Sequence, residues 1–300
     1  MKNIILKQVL FSIIFCFSNK IYASHVTIED PVNGANRISA SVIVDANTRK
    51  VLHHHNLNTK AYPASLTKMM TIYVAFNQIK KGKLFFDTKM KVSQKAANVS
   101  PIKIGLKSGS FLTVKDAINS LIVISANDAA VVIAEHIAGS EESFAKIMTE
   151  RAILLGMKDT LFKNPNGLPH KGQVTTAMDM AKLAIALERD FSEYYYLFSQ
   201  TSFSYNGRKY GTTNKVTANY SNVNGIKTGY TRASGYNLVT SAQKNGKKLV
   251  GVILGADNSA SRNKRMVDLI SKYLSIDSKS FAKNETNFIK QSASKNKKKT

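Results

Sequence analysis

Three short motifs contain residues whose types and spacing suit the making and breaking of an ester. They are Ser65-Leu-Thr-Lys68, Ser125-Ala-Asn127 and Lys227-Thr-Gly229. A serine hydroxyl becomes nucleophilic when a neighbouring base removes its proton, and a desolvated lysine amine can be that base. The motifs therefore indicate acyl transfer through a serine ester, although each of them alone is a weak signal.

The first motif lies at the start of a predicted helix that begins near Ser65, just after Pro63, and ends near Gly82. Free backbone N–H groups in the first turn of a helix favour developing negative charge. Lys68 follows Ser65 by three residues, so both side chains project from one face of the helix. This arrangement suits a nucleophile and its base.

The second and third motifs fall at a helix boundary and in a strand. Asn127 either caps the helix that follows it or, together with Ser125, points into a cleft. Lys227 and Gly229 share one face of the predicted strand, and Thr228 lies on the opposite face. Because glycine has no side chain, a substrate backbone can approach closely at Gly229.

Hydrophobic periodicity predicts strands near both ends of the chain and helices between them. The predicted strands are 37–45, a return strand from 51, 224–231, 235–242 and 248–255, the last two joined by an Asn-Gly hairpin turn. The predicted helices are 65–82, 113–124, 129–137, 140–156, one from 176, and 261–274. This order indicates a single α/β domain whose sheet is built from both ends of the chain.

The composition indicates a folded protein with an anionic partner. The chain has 300 residues, and its 43% hydrophobic content excludes a wholly disordered protein because it supplies a core. Lysine and arginine number 43 against 19 acidic residues, a net charge of +24. Such an excess favours binding to nucleic acid, a membrane surface or an acidic polymer.

Residues 1–23 are predicted to be a cleaved signal peptide, with a basic start and an apolar run over 9–17. That run is much shorter than the roughly 20 apolar residues of a spanning helix. Cleavage removes Cys16, the single cysteine of the sequence, and so excludes thiol chemistry in the mature protein. Export also disfavours the nucleic-acid interpretation.

The predicted domain boundaries follow from this composition. Residues 24–275 are predicted to form the catalytic domain, and residues 276–300 are predicted to be a basic, disordered tail that includes a lysine cluster at 295–299. We expect the tail to make weak contact with anionic membrane or wall polymer. Adjacent strand residues alternate faces, so the histidines at 53–55 are expected on an edge strand and not around a metal ion.

Taken together, the motifs resemble those of the low-molecular-mass penicillin-binding proteins, the serine-type D-alanyl-D-alanine carboxypeptidases. Residues 61–71 look like their nucleophile segment, 125–129 like their second motif with alanine in place of the usual glycine, and 222–231 like their third. The resemblance spans about 36–274. It implies an α/β fold of the β-lactamase/transpeptidase type, with an antiparallel sheet built from N- and C-terminal strands and a helical middle region.

The resemblance also implies catalytic roles. Ser65 would form the acyl-enzyme ester, Lys68 would take its proton, and Ser125 would relay a proton to the leaving D-alanine. Asn127 would hydrogen-bond the substrate amide. The backbone N–H groups of Ser65 and Tyr230 would form the oxyanion hole.

Substrate binding would fall to residues of the third motif and one arginine. The resemblance implies that Lys227 and Thr228 hold the end of the substrate, with Gly229 and Tyr230 beside them. Arg262, by its offset after the third motif, matches an arginine that helps to recognise the terminal carboxylate; it is also compatible with a surface position on a helix.

The implied activity is release of the terminal D-alanine from peptidoglycan stem peptides that end in D-Ala-D-Ala, without cofactor or metal. β-Lactam antibiotics would be covalent inhibitors, nucleic acid would not be a partner, and the location would be the periplasm or the outer face of the cytoplasmic membrane. Alternatives are a D,D-endopeptidase, a β-lactamase, or a non-catalytic cell-wall-binding protein. The sequence lacks the E-x-x-L-N context in which class A β-lactamases carry their deacylating glutamate. Family members often add a β-rich domain and an anchoring helix, whereas the predicted domain here is followed only by the basic tail.

Overall fold

The structure, a computed structural model, describes residues 40–276. The strands are β1 (Ala40–Asp45), β2 (Val51–His55), β3 (Lys89–Lys91), β4 (Phe111–Thr113), β5 (Ser202–Tyr205), β6 (Arg208–Gly211), β7 (Val223–Thr231), β8 (Gly235–Lys244) and β9 (Lys247–Ala256). The α-helices are α1 (Lys68–Lys80), α2 (Gln94–Asn98), α3 (Val114–Val123), α4 (Asn127–Ala138), α5 (Glu141–Leu154), α6 (Ala177–Asp190), α7 (Lys215–Asn219) and α8 (Ser259–Leu274). Two 3-10 turns span Ala64–Thr67 and Tyr195–Ser199.

The central sheet joins the two ends of the described chain. Its strand order is β2-β1-β9-β8-β7, and all neighbouring pairs are antiparallel. Val42 of β1 pairs with Val252 of β9, which in turn pairs with Val239 of β8. The predicted α/β fold, an antiparallel sheet of N- and C-terminal strands with a helical middle region, is confirmed.

Both faces of the sheet are covered, which explains why β8 is buried from Asn237 to Ala242 and β9 from Leu249 to Gly255. On one face lies the helical region, in which every residue of α4 from Asn127 to Ala134 is buried. A helix that is buried on all sides belongs inside a core. α1 contacts α4 and contributes Met69, Ile72 and Phe76 to the same core cluster. On the other face α8 contributes Met266 and Ile270 to a second cluster. The nucleophile motif therefore begins a helix that is fixed by the main core.

Side-chain caps fix several helix starts where the sequence predicts them. Thr113 accepts a hydrogen bond from the N–H of Asp116, Ser140 caps α5, and Thr176 caps α6. The short hairpins β3–β4 and β5–β6 were not predicted, because strands of three or four residues carry too little periodicity in the sequence.

Some predictions concern the ends of the chain. The predicted signal peptide, residues 1–23, and the tail after Ile276 lie outside the described residues and stay predictions. Within residues 40–276, no helix has the length and hydropathy needed to cross a bilayer. The histidines at 53–55 lie on β2, an edge strand of the central sheet as expected, where His53 hydrogen-bonds Ser41.

Candidate active site

The nucleophile motif forms a tight turn that leads into α1. Ser65 lies in the 3-10 turn Ala64–Thr67, and the α-helix proper starts at Lys68. The predicted helix start near Ser65 is therefore correct in position, although its first turn is 3-10. Ser65 is partly exposed, whereas Lys68 is fully buried.

The amine of Lys68 contacts three oxygen atoms. Its Nζ lies 3.1 Å from Ser65 Oγ and 2.7 Å from Asn127 Oδ1, and it donates to the carbonyl oxygen of Asn166. Two of these partners, the amide and carbonyl oxygens, can only accept. A neutral amine has two N–H bonds and one lone pair, so donation to Asn127 and Asn166 leaves the lone pair for the hydroxyl of Ser65. This geometry suits a base that removes the Ser65 proton.

The surroundings of Lys68 favour its neutral form. Complete burial lowers the pKa of Lys68 well below its usual value, and the nearby positive charge of Lys227 lowers this pKa further. The carboxylate of Asp128 acts in the opposite direction and raises the pKa of Lys68. The two depressing effects prevail, so the neutral form of Lys68 is more accessible than that of an exposed lysine.

The Asp128 carboxylate is itself held by backbone groups. It accepts hydrogen bonds from the N–H groups of Ile104, Gly105 and Leu106, and from that of Ala129 in its own helix. These donors stabilise the buried charge and fix the loop beside the second motif. Asp128 was not predicted as a site residue. Its position directly after Asn127, at the start of an otherwise apolar helix, was the available signal.

In the second motif, the Asn127 side chain binds Lys68, whereas the Ser125 hydroxyl has no hydrogen-bond partner within the described residues. Asn127 begins α4, but its side chain does not cap the helix; it accepts from Lys68 instead. Ser125 has a φ of 67°, a left-handed conformation that is rare for serine. The Ser125 Oγ is buried and forms no hydrogen bond within the described residues. A strained residue with an unsatisfied buried hydroxyl is typical of functional sites.

Two glycines allow separate segments to pack against the turn that carries Ser65. A Cβ on Gly167, whose φ is 83°, would lie 2.0 Å from the carbonyl oxygen of Ala64. A Cβ on Gly229 would lie 3.2 Å from the N atoms of Ser65 and Leu66. Gly229 was predicted to allow close approach of a substrate, whereas its close contact in the structure is with this turn.

A buried amide also ties the turn to the sheet. Asn237 of β8 donates to the carbonyl oxygens of Tyr62 and Pro63 and accepts from the N–H of Gly255. It pairs with Gly229 across β7 and β8, so both lie on the face that meets the turn. Asn237 was not predicted as a site residue, because one asparagine in a strand carries no specific signal in the sequence.

The third motif lies on β7, at the edge of the sheet, and places its side chains as the strand pattern predicts. Lys227 is buried, Thr228 is partly exposed, and Gly229 is buried again. Lys227 Nζ donates to the Thr228 carbonyl oxygen, 2.9 Å away. Burial and the charge of Arg262 lower the pKa of Lys227 to about 7. The Tyr230 ring is exposed, and its centroid lies 4.2 Å from the centroid of the Tyr236 ring.

Arg262 does not lie on the protein surface. It is a buried residue of α8, and its Nη1 donates to the carbonyl oxygen of Asn237 while Nε and Nη2 contact Asn263 Oδ1. Burial lowers the pKa of Arg262 to about 10. The positive charge of Arg262 lowers the pKa of Lys227, so the two cations lie close enough beside β7 to influence each other.

The site combines a partly exposed serine, a buried lysine whose pKa is lowered, a second serine whose hydroxyl has no partner within the described residues, and a cationic strand edge. Such a combination is of the kind used for serine acyl transfer. The model of the D-alanyl-D-alanine carboxypeptidase family Peptidase_S11 matches residues 27–258. The D-alanyl-D-alanine carboxypeptidase DacF of Bacillus subtilis is 36% identical over 245 residues, which make up 79% of this chain and 62% of that protein.

Solved structures agree with this match. The D-alanyl-D-alanine carboxypeptidase DacD from Francisella tularensis has a TM-score of 0.76 at 28% identity, over 85% of this chain and 74% of that one. Penicillin-binding protein D2 from Listeria monocytogenes, in its ampicillin-bound form, has a TM-score of 0.71 at 25% identity, over 77% of this chain and 95% of that one. The chain belongs to the D-alanyl-D-alanine carboxypeptidase family. Its match spans about 62% of the length of the Bacillus relative.

Proposed function

We propose that this protein is a serine D-alanyl-D-alanine carboxypeptidase that removes the terminal D-alanine from peptidoglycan stem peptides. The observation that carries the proposal is the buried Lys68 amine, whose lone pair is left for Ser65 by the two acceptors Asn127 and Asn166. The family match supports the substrate class.

The first step is acylation of Ser65. Lys68 takes the hydroxyl proton as Ser65 Oγ attacks the carbonyl carbon of the D-Ala-D-Ala peptide bond. The backbone N–H groups of Ser65 and Tyr230 are proposed to stabilise the oxyanion that forms. The C–N bond then breaks, and the proton taken up by Lys68 passes through Ser125 to the leaving D-alanine nitrogen, which leaves the Lys68 amine neutral again. The unpartnered, buried Ser125 hydroxyl supports this relay role.

The second step is hydrolysis of the ester. Water attacks the acyl carbon, a proton moves from the water to the Lys68 amine, and Ser65 Oγ leaves and recovers a proton. The products are the shortened peptide and the free enzyme, so neither cofactor nor metal enters the proposed balance.

Recognition of the substrate end is proposed to depend on positive charge beside the edge strand β7. Lys227 and Thr228 are proposed to hold the terminal carboxylate, with Asn127 hydrogen-bonding the substrate amide and Gly229 keeping the strand close to Ser65. Arg262 supports the site through its charge and through its contact with β8. β-Lactams, which combine a reactive amide with a carboxylate, are proposed to acylate the same serine; the ampicillin complex of the Listeria relative supports this.

Two alternatives on the same fold make different predictions. A β-lactamase needs a base that rapidly deacylates the penicillin ester. The carboxylate of Asp128 raises the pKa of Lys68, but its oxygens already accept hydrogen bonds from four backbone N–H groups and are poorly placed to serve as such a base. This observation favours a persistent penicilloyl ester. An endopeptidase would cut cross-links inside the peptidoglycan and leave free D-Ala-D-Ala ends.

A digest of purified peptidoglycan fragments tests the proposal. The protein is incubated separately with a pentapeptide monomer and with a cross-linked dimer that lacks pentapeptide ends, and the products are identified by mass. We expect loss of one D-alanine from the monomer and an intact dimer. Cleavage of the dimer with no action on the monomer would support the endopeptidase, and no cleavage of either would overturn the proposal. Ser65→Ala is the inactive control.

The cellular setting is part of the same proposal. We propose export through the signal segment 1–23, action in the periplasm or on the outer face of the cytoplasmic membrane, and weak attachment of the basic tail 276–300 to anionic polymer or lipid. The family match to cell-wall carboxypeptidases supports a location outside the cytoplasm.

A further inference from the structure

The segment between the end of α1 and the start of α3 forms a strongly basic surface that has no role in the reaction described so far. Residues 80–116 contain nine lysines and only two acidic residues, Asp87 and Asp116. All nine lysines are exposed, whereas Asp116 is partly buried and accepts a hydrogen bond from Thr113. The surface is therefore suited to an extended anionic partner.

Two phenyl rings project into solvent from the same segment. Phe85 is 60% exposed and Phe111 is 58% exposed. Their neighbours already fill the core: the Phe86 ring centroid lies 5.2 Å from that of Tyr194, and Leu112 is buried. No core contact requires the two exposed rings, and exposed apolar groups that cluster mark contacts with proteins or membranes.

Rings and lysines meet on the outward face of the β3–β4 pair. Met90 of β3 and Leu112 of β4 are buried, and successive side chains of a strand point to opposite faces. Lys89, Lys91 and Phe111 therefore face outwards. Lys91 and Phe111 are directly paired across the two strands, so a cationic side chain lies beside the ring.

The second ring lies at the other end of the pair. Phe85 begins a turn in which its carbonyl oxygen accepts from the N–H of Thr88, 3.1 Å away, just before β3 starts at Lys89. Phe111 lies opposite Lys91, the last residue of β3. The two rings therefore flank Lys89 and Lys91 from opposite ends of β3.

The two lysines of β3 are available for an external anion. Within residues 40–276, neither Lys89 nor Lys91 forms an ion pair or a side-chain hydrogen bond. Lys95, in the same segment, differs because its Nζ lies 2.7 Å from a carboxylate oxygen of Glu141. The positive charge of β3 is thus not neutralised by the described part of the protein.

We propose that the face formed by Phe85, Lys89, Lys91 and Phe111, here called the docking face, binds the surface of an anionic lipid bilayer. The lysines attract the anionic head groups. The phenyl rings have no hydrogen-bonding group and gain free energy by entering the boundary between head groups and acyl chains. A soluble anionic polymer would satisfy the lysines but offers no apolar phase for the rings, so the combination favours a bilayer.

Docking at this face also affects the position of the active site. The carbonyl oxygen of Ile102 accepts from the N–H of Asn127, and Asp128 accepts from the N–H groups of residues 104–106. The basic segment is therefore joined to the second motif, and a docked protein keeps this motif close to the bilayer. The inference concerns binding alone and does not depend on the proposed activity.

Co-sedimentation with lipid vesicles tests the proposal. The mature protein, residues 24–300, is mixed with vesicles of phosphatidylglycerol and phosphatidylcholine in equal parts, or of phosphatidylcholine alone. We expect binding to the anionic vesicles only, weakened by added salt. Lys89→Glu/Lys91→Glu, which loses the attraction to head groups, and Phe85→Ser/Phe111→Ser, which loses the inserted rings, should each bind at least about tenfold more weakly than wild type.

Matched controls make the same kinds of change elsewhere. Lys50→Glu/Lys158→Glu replaces two exposed lysines outside residues 80–116 with the same change in net charge. Ile153→Ser/Leu154→Ser removes two exposed apolar side chains at the end of α5. Both controls should bind as wild type does. A loss in either control as large as that in the docking-face variants would contradict the inference.

A second measurement keeps the docking face intact and uses the absence of tryptophan from the sequence. Phe111→Trp places a single indole on the docking face, and Leu154→Trp places one at the end of α5. In anionic vesicles whose phosphatidylcholine carries brominated acyl chains, which quench indole emission, we expect a blue shift and quenching for Phe111→Trp and no change for Leu154→Trp. The reverse result would assign docking to α5 and overturn the proposal.

Three further outcomes would overturn it. They are absence of wild-type binding to anionic vesicles; equal binding by wild type and both docking-face variants, with loss of binding on deletion of residues 277–300; and weaker binding by the lysine variant alone without quenching of Phe111→Trp, which indicates contact by charge only, as with an anionic polymer. D-Alanine release and penicillin acylation measured without vesicles should be equal in wild type and the docking-face variants, so failure of the proposed function is seen separately.

Discussion

Gly167 packs so closely on Ala64 that a methyl group on Gly167 would lie 2.0 Å from the Ala64 carbonyl oxygen and 2.9 Å from the Ser65 nitrogen. Asn166, the neighbour of Gly167, provides the carbonyl oxygen that binds the Lys68 amine. One contact between distant segments thus aligns the nucleophile turn with the acceptor that orients the base.

Gly167→Ala should therefore disrupt the site. The added methyl group displaces the loop or the turn, so we expect penicillin acylation to slow by at least about 100-fold, the size of the loss from small misplacements of reacting groups. Gly109→Ala is the matched control, because Gly109 has a similar φ of 80° but open space around its Cβ position. It should lose some stability and keep its acylation rate. Equal acylation by both variants would show that the Gly167 contact does not position the site.

Ser125→Ala should separate activity from stability. The Ser125 hydroxyl has no hydrogen-bond partner within the described residues, so its removal should leave the melting temperature nearly unchanged. If Ser125 relays the proton as proposed, kcat/KM for D-alanine release should fall by about 10²–10⁴ in this variant.

Ser120→Ala provides the matched control for this prediction. Ser120 is a buried serine of α3 whose Oγ donates to the Ala117 carbonyl oxygen, so its loss should affect stability more than turnover. Normal turnover in Ser125→Ala, measured as D-alanine release, would remove Ser125 from the mechanism.

The pH dependence of kcat/KM should show a falling limb near pH 7. The pKa of Lys227 is about 7, so the ammonium that we propose to hold the substrate carboxylate is present below this pH and is lost above it. Since kcat/KM reports the free enzyme, its value should fall by up to tenfold per pH unit on the alkaline side. The neutral fraction of Lys68 increases with pH and gives the rising limb.

Lys227→Arg tests this assignment because a guanidinium stays charged across the whole range. The falling limb should move upwards by more than two pH units in this variant. A falling limb that stays near pH 7 would mean that another group than Lys227 controls it.

Much of the site could be predicted from the sequence because its groups lie in short motifs with strong local structure. Ser65 and Lys68 are three residues apart at a helix start, and the strand pattern of β7 correctly places Lys227 and Gly229 on one face. The capping threonines before α3 and α6 likewise have local signals, since their hydroxyls accept from N–H groups three residues later.

The remaining features depend on contacts between distant segments. The Asn166 carbonyl oxygen reaches Lys68 across 98 residues, and its position follows from the path of a loop without periodicity. The sequence left two roles open for Asn127, and only the folded chain brings its side chain to Lys68 instead of the helix terminus. The role of Gly229 also depends on the folded chain, because its close contact is with the distant turn that carries Ser65.

The most direct test of the account is time-resolved mass spectrometry of the penicilloyl adduct on wild type, Lys68→Arg and Lys68→Ala. Arginine keeps the charge but does not deprotonate in proteins, so it cannot take the proton from Ser65. We predict that both variants fold but acylate at least about 10²–10⁴ times more slowly than wild type, which forms a stable adduct on Ser65. Near-normal acylation by Lys68→Arg would contradict the role of Lys68 as the base.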